Sequence, residues 1–244
     1  MRRVRIKDAI KRLVYYAGYE VRRAGGLGWD PFRDMRRLAT HPHRPVIFDV
    51  GANVGQSIDL FRRHFDHPII HAFEPSPSTF RELQRQTVDI PDLHLNNCAL
   101  GSRSEIKLFA ENTYSELSSL LEPTADRGWE VEKRYQVEVQ TLDEYCAKRS
   151  VTHIDMLKLD TQGFDLEVIK GGSELLALQR IQLLFIEIIF SDMYEGLPRP
   201  DEIYSFLTEQ GFSLVSFYTF YHEHGRADWA DALFVNPEYR NVPQ

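Results

Sequence analysis

The stretch FDVGANVGQ, residues 48–56, joins an apolar run, Val46-Ile47-Phe48, to a segment whose apolar residues Ile58, Leu60 and Phe61 recur at helical spacing. Between them lie glycines at 51 and 55. Glycine at such a turn removes Cβ and opens backbone angles closed to other residues. It also lets a ligand rest on the main chain at a helix N-terminus, where N–H groups are free. The stretch therefore reads as strand, turn and helix, with the turn as the floor of a cofactor site.

Outward from this unit the same rhythm repeats. Strands are expected at 46–50, 69–73 and 93–97, with helices over 56–64 and 78–86 between them. Residues 104–140 break the rhythm and read as an insertion of hairpin type, with strands at 105–109 and 137–140 around a polar loop. A short helix at 142–147 follows, then a strand at 155–160 and a helix over 164–170 that Gly171-Gly172 stops. The most apolar strand is 181–189, and a helix covers 201–210. Two late strands, 212–218 and 232–235, flank an aromatic, His-rich loop. Repeated strand–helix units imply an α/β fold with a parallel sheet covered on both faces. Ligands of such sheets sit at the carboxyl ends of the strands, near the point where strand order reverses.

The 244 residues suffice for one such domain, and 43% are hydrophobic. Charge divides the chain. Residues 1–44 carry 12 Lys/Arg and 4 Asp/Glu, a net of +8, and the remainder a net of −15, giving −7 overall. We therefore expect a basic N-terminal helical extension, 1–44, and a Rossmann-like domain, 45–244. An acidic body argues against wide nucleic-acid contact. Only Cys98 and Cys146 occur, in no metal or disulfide spacing, and no apolar run has the length of a membrane span. The expected setting is cytoplasmic. Residues 5–23 read as an amphipathic basic helix. Its apolar face either docks on the domain or a second subunit, the preferred reading, or lies on an anionic membrane surface.

Four features converge on the carboxyl edge. The first is the Gly51/Gly55 turn with Asp49 and Asn53. The second is Glu74 in HAFEP, 23 residues beyond Gly51, where an acidic group accepts hydrogen bonds from a ribose diol. The third is NNCALG, 96–101, whose small residues can pack a purine. The fourth is Asp160 in KLDTQGFD. A dinucleotide fingerprint needs G-x-G-x-x-G, and here the spacing is G-x-x-x-G. That disfavours a pyrophosphate and favours a cofactor with one ribose and an amino-acid tail, S-adenosylmethionine.

VIFDVGANVGQ, FEPSP, NCALG, QTLDEY and MLKLDTQGFDLEVIKGG, in this order over about residues 46–236, resemble the FkbM-type family of S-adenosylmethionine-dependent methyltransferases. The resemblance implies a seven-stranded class I methyltransferase sheet whose last strand is antiparallel. It also implies O-methylation, commonly of sugar or natural-product hydroxyls. By the same resemblance Asp49, Gly51, Asn53 and Gly55 hold the methionine end, Glu74 the ribose, Cys98 and Ala99 border the adenine, and Asp160 lies beside the methyl group. Many relatives read Val-Glu where this chain has Thr161-Gln162, which leaves the role of Gln162 open.

A hydroxyl acceptor needs a base within hydrogen-bond reach. Asp160 is the first candidate. Glu187, inside LLFIEIIF, is a carboxylate in a buried run and must be paired, protonated or used. His222, with His224 beside it, is a third. A divalent ion shared by Asp160 and Glu187 is a further reading. Without the dense carboxylate cluster of a hard-metal site, a metal-free site is favoured. The expected partner is a small-molecule or glycan acceptor. Two other classes stand beside this one: a nicotinamide-dependent oxidoreductase, and a non-catalytic nucleoside-binding module.

Overall fold

The computed structural model describes residues 2–18 and 26–239. In chain order it contains α1 (Arg2–Tyr16), α2 (Pro31–Leu38), β1 (Val46–Val50), α3 (Gln56–His64), β2 (Ile69–Phe73), α4 (Pro77–Gln86) and β3 (Leu93–Asn96). There follow β4 (Ala99–Leu100), β5 (Glu105–Asn112), β6 (Val131–Gln140), α5 (Leu142–Arg149), β7 (Ile154–Leu159), α6 (Asp165–Lys170) and α7 (Ser173–Ala177). The chain closes with β8 (Ile181–Ile189), α8 (Pro200–Glu209), β9 (Ser213–Glu223) and β10 (Arg226–Val235).

Seven strands form one sheet in the order β3-β2-β1-β7-β8-β10-β9. β1, β2, β3, β7 and β8 run parallel, and β10 is antiparallel to both β8 and β9. This is the α/β sheet with an antiparallel last strand that the motifs imply. Strand order reverses between β1 and β7, so their carboxyl ends open a crevice there. Alternation decides which residue serves which face. Phe48 and Val50 of β1 join one core with Leu157, Leu159, Ile186 and Ile188. Ile47 joins the other, with Met156, Leu183, Phe185, Met35 and Phe61. Met35 belongs to α2, which is started by Pro31 and capped by Asp30 accepting from the Arg33 N–H. The structure thus seats part of the 1–44 extension on the sheet, with Asp34 bonded 2.9 Å from the Tyr218 hydroxyl.

The insertion is a second sheet, β4-β6-β5. β5 and β6 are longer than the expected hairpin strands, and a 3-10 turn over Ser115–Leu117 sits in the polar loop between them. Two expectations need correction. The aromatic, His-rich segment is no loop but the end of a long hairpin, β9–β10. Its two-residue turn, His224-Gly225, has φ of +49° and +77°, the positive angles that match strand twist. The N-terminal helix does not dock on the domain through Ile10 and Leu13, which are 53% and 75% exposed; a second subunit is the other half of that expectation. Residues 19–25 of the expected 5–23 helix lie outside the described residues.

Candidate cofactor and acceptor site

The crevice is built on close contact between the ends of β1 and β7. Gly51 has φ +77°, and a Cβ there would lie 1.9 Å from the carbonyl oxygen of Asp160, so only glycine fits. The Gly51 and Ala52 N–H groups both donate to the Phe73 carbonyl at 3.0 Å, tying the turn to β2. Asn53 follows at φ +47°, which turns its N–H onto Glu74 Oε2 at 3.0 Å. The Ser76 N–H reaches Glu74 Oε1 at 2.8 Å. Glu74 is 6% exposed. Burial pushes its carboxyl up to about 7, against the pull of these two bonds.

A cavity of about 260 Å³ opens over this floor. Its walls include Gly51, Asn53, Glu74, Cys98, Ala99 and Asp160, six of the residues expected from sequence, together with Ser115, Glu116, Lys158, Gln162 and Phe164. Ser115, from the insertion, bonds the Asn53 amide at 3.2 Å, so the polar loop closes on the glycine turn.

The other expected residues are not walls of this cavity. Asp49 is fully buried beneath it. Its compensation is the Lys158 ammonium, 3.1 Å from Oδ1, because neither Asp49 oxygen receives a well-aligned hydrogen bond. Gly55, at φ +102°, starts α3 instead of lining the space. His222 does not line this cavity: it is exposed on β9 opposite Ala227, out on the hairpin. Glu187 stands one residue behind the wall.

Lys158 and Gln162 organise the acidic end, and the sequence reading assigned neither a role. Lys158 Nζ lies 3.1 Å from Asp49, 3.4 Å from Asp160 Oδ2 and 3.2 Å from the Gly51 carbonyl. Burial opposes its charge, but the carboxylates of Asp49 and Asp160 outweigh that cost and hold the ammonium above the usual Lys range. Gln162 sits at φ +54°. Its Nε2 donates to Asp160 Oδ1 at 3.0 Å and to Glu187 Oε2 at 3.1 Å. Its Oε1 accepts from the Tyr194 hydroxyl at 3.0 Å. Glu187 faces Asp231 directly across the β8–β10 pair. Burial, then Asp160, Asp165 and Asp231, push the Glu187 carboxyl well above the carboxylate range. Burial and then Asp160 push Asp231 up to about 6. The signal for Lys158 was the one that flagged Glu187: a charge within an apolar strand. Asp231 became legible only through pairing.

Asp160 is the accessible carboxylate of this group, its side chain 44% exposed. Gln162 therefore bridges two carboxyl groups in different settings, one accessible at the wall and one buried behind it. Among the described residues, no group of three or more His, Cys, Asp or Glu has the geometry to hold a metal ion. No described helix is long and apolar enough to cross a membrane.

A parallel sheet with an antiparallel last strand, a glycine turn at its switch point and a buried acid just after β2 are the features expected of S-adenosylmethionine-dependent methyltransferases. Residues 49–214 match the Methyltransferase FkbM domain, and the chain belongs to that family. It is 25% identical over 163 residues to the 2-O-methyltransferase NoeI of Sinorhizobium fredii, covering 62% of this chain and 66% of that protein. It is 26% identical over 203 residues to the 31-O-demethyl-FK506 methyltransferase FkbM of Streptomyces tacrolimicus, covering 70% and 74%. A third relative, the hexuronic acid methyltransferase AglP of Haloferax volcanii, is 26% identical over 146 residues, covering 59% and 55%. The chain thus spans just under two thirds of NoeI and about half of AglP. Among solved structures, that of magnesium protoporphyrin IX methyltransferase (ChlM) from Synechocystis PCC 6803 aligns over 80% of this chain and 71% of its own, at 12% identity and a TM-score of 0.45.

Proposed function

We propose that this chain is an S-adenosylmethionine-dependent O-methyltransferase that methylates a hydroxyl of a sugar, glycan or glycosylated natural product. The observation that carries the reading is Glu74. An ionised carboxylate offers about four lone-pair sites. Two are spent on the Asn53 and Ser76 N–H groups, which leaves two for the two hydroxyls of a ribose. The donor fits the remaining walls: Cys98 and Ala99 border the purine, and Gly51 and Asn53 face the amino-acid end. Asp49 and Gly55 act from behind, through Lys158 and through the start of α3.

When bound, the cofactor supplies an electrophilic methyl group on a sulfonium. The chain supplies alignment and a place for the proton. Asp160, at the wall, would take up the proton of the acceptor hydroxyl on a carboxylate oxygen. Gln162 fixes the Asp160 carboxylate from one side and Lys158 from the other. Burial first, and then its acidic neighbours, push the Glu187 carboxyl well above the carboxylate range, which disfavours a second negative charge there. Among the described residues three acids, Glu74, Glu116 and Asp160, and one cation, Lys158, line the cavity, and Lys158 is engaged by Asp49, Asp160 and the Gly51 carbonyl. This favours a neutral polyol over an anionic acceptor. O-methylation draws support from the names of NoeI and the 31-O-demethyl-FK506 methyltransferase, and the sugar reading from the name of the hexuronic acid methyltransferase AglP.

The test is calorimetric titration of S-adenosylhomocysteine into the wild type and Glu74→Ala, followed by transfer of labelled methyl to a panel of sugars and glycosides. Binding lost in Glu74→Ala, with methyl appearing on a hydroxyl, supports the proposal. Failure of the wild type to bind S-adenosylhomocysteine while NAD binds overturns it in favour of an oxidoreductase. Cofactor binding with no turnover, unchanged by Asp160→Asn, points to a binding module.

A further inference from the structure

A second cavity, of about 270 Å³, opens at the opposite edge of the sheet, at the amino ends of β1 and β2. It is lined by Val46 and Ile69 and by four nitrogen-bearing side chains, His71, His94, Arg149 and His153. His71 and His94 are cross-strand partners on β2 and β3, stacked at 4.6 Å. His71 is 4% exposed, and its Nδ1 lies 2.7 Å from the Tyr145 hydroxyl.

The hydrogen bonds fix which His71 nitrogen carries the proton. The Asn96 amide is oriented by donating Nδ2 to the Ala72 and His94 carbonyls, at 3.1 and 3.0 Å. The same Nδ2 lies 3.2 Å from the Tyr145 oxygen. A donor nitrogen cannot accept, so the Tyr145 hydrogen goes to His71 Nδ1. His71 is then neutral with its proton on Nε2, the side turned from Tyr145. Burial, then His94 and Arg149, push its imidazolium form down to about 4, which agrees with a neutral donor.

Arg149 completes the wall. Its guanidinium lies 5.8 Å from the centre of the Tyr145 ring, and among the described residues it has no carboxylate partner. The carboxylate below, Asp155, is 1% exposed and already accepts from the Val46 N–H and the Tyr239 hydroxyl. The Cys146 carbonyl at the end of α5 is taken by the Ser150 and Val151 N–H groups. The cavity thus offers a neutral imidazole donor, an exposed guanidinium and a second imidazole, while the Thr152 hydroxyl lies 3.3 Å from His153 Nδ1 and His153 Nε2 lies 3.6 Å from Asp155; no Asp or Glu is among its lining residues.

We propose that this cavity is a binding site for a phosphate group, free or as a monoester, separate from the crevice at the other end of β1. A guanidinium and hydrogen-bond donors on several sides suit a tetrahedral dianion, and the volume leaves room for a small organic group attached to it.

The experiment is thermal unfolding of the full chain at pH 7 in rising inorganic phosphate, ribose 5-phosphate or ribose, at ionic strength held constant with chloride. The midpoint rises saturably with either phosphate and not with ribose. Arg149→Gln, an exposed change that leaves the core intact, weakens that affinity at least about tenfold. Arg103→Gln, on another surface, leaves it unchanged. Stronger binding of ribose 5-phosphate identifies a monoester ligand, and stronger binding of inorganic phosphate identifies the free ion. No saturable rise, or an equal rise in Arg149→Gln, overturns the proposal.

Discussion

With Glu74 in the ribose-binding role proposed for it, cofactor affinity should fall on acidification through pH 7, where its carboxyl is poised. Burial raises Glu74 to about 7 in the free protein. Its two bonds from the Asn53 and Ser76 N–H groups persist in either protonation state. The two lone pairs left for the diol do not, since protonation removes one. The ligand therefore binds the ionised form, and affinity follows the ionised fraction. That fraction is about 0.9 at pH 8 and about 0.1 at pH 6, so the loss is about tenfold, or about 1.4 kcal/mol. The assay is calorimetric titration of S-adenosylhomocysteine at half-unit steps between those limits. Glu74→Gln supplies the control: weaker throughout, and flat over the same range if Glu74 is the titrating group. A wild-type profile as flat as the variant's, or one rising towards low pH, would refute the reasoning.

Three further outcomes test the site. Lys158→Met leaves Asp49 buried without compensation and should cost about 3–5 kcal/mol in urea unfolding, with much of it recovered in the double variant Asp49→Asn/Lys158→Met. Gly51→Ala drives a Cβ into the Asp160 carbonyl and should lower stability by several kcal/mol, about 3 or more, and abolish S-adenosylhomocysteine binding. Asp231→Asn tests the opposed carboxylates. A carboxyl raised to about 6 in the fold, against 3.8 unfolded, contributes stability below the unfolded value and loses it as pH rises through about 6. The variant should therefore be more stable than wild type at pH 8, by up to about 3 kcal/mol, and the gain should fall below about 1 kcal/mol by pH 4. Differential scanning calorimetry at the two pH values reads it.

Much of the fold was legible because its signals are local. The run FDVGANVGQ contains its own strand, turn and helix start, and each later unit repeats that chemistry within about twenty-five residues. Glu74, Cys98, Ala99 and Asp160 were found by position, each close after a strand of the repeating pattern. Thr161-Gln162 marked a departure, yet its consequence was hidden, because the partners of Gln162 lie on β8 and in the loop after it. Strands 212–218 and 232–235 are legible, but residues 219–231 between them read as a loop because their aromatic and polar residues alternate without an apolar core face. Their pairing was written in His224-Gly225, a turn whose two positive angles suit a two-residue hairpin.

The sequence alone determined the order of strands and helices, the glycine turn and the acid that follows β2. These depend on backbone angles and periodicity, which neighbours along the chain impose. Only the tertiary structure decided which charges meet. Asp49 and Lys158 are opposite one another because β1 and β7 pair in that register, and Glu187 meets Asp231 because β10 runs antiparallel to β8. Register is a property of two strands at once, set by how their apolar faces pack, and a shift of one residue would turn every one of these groups to the other side of the sheet.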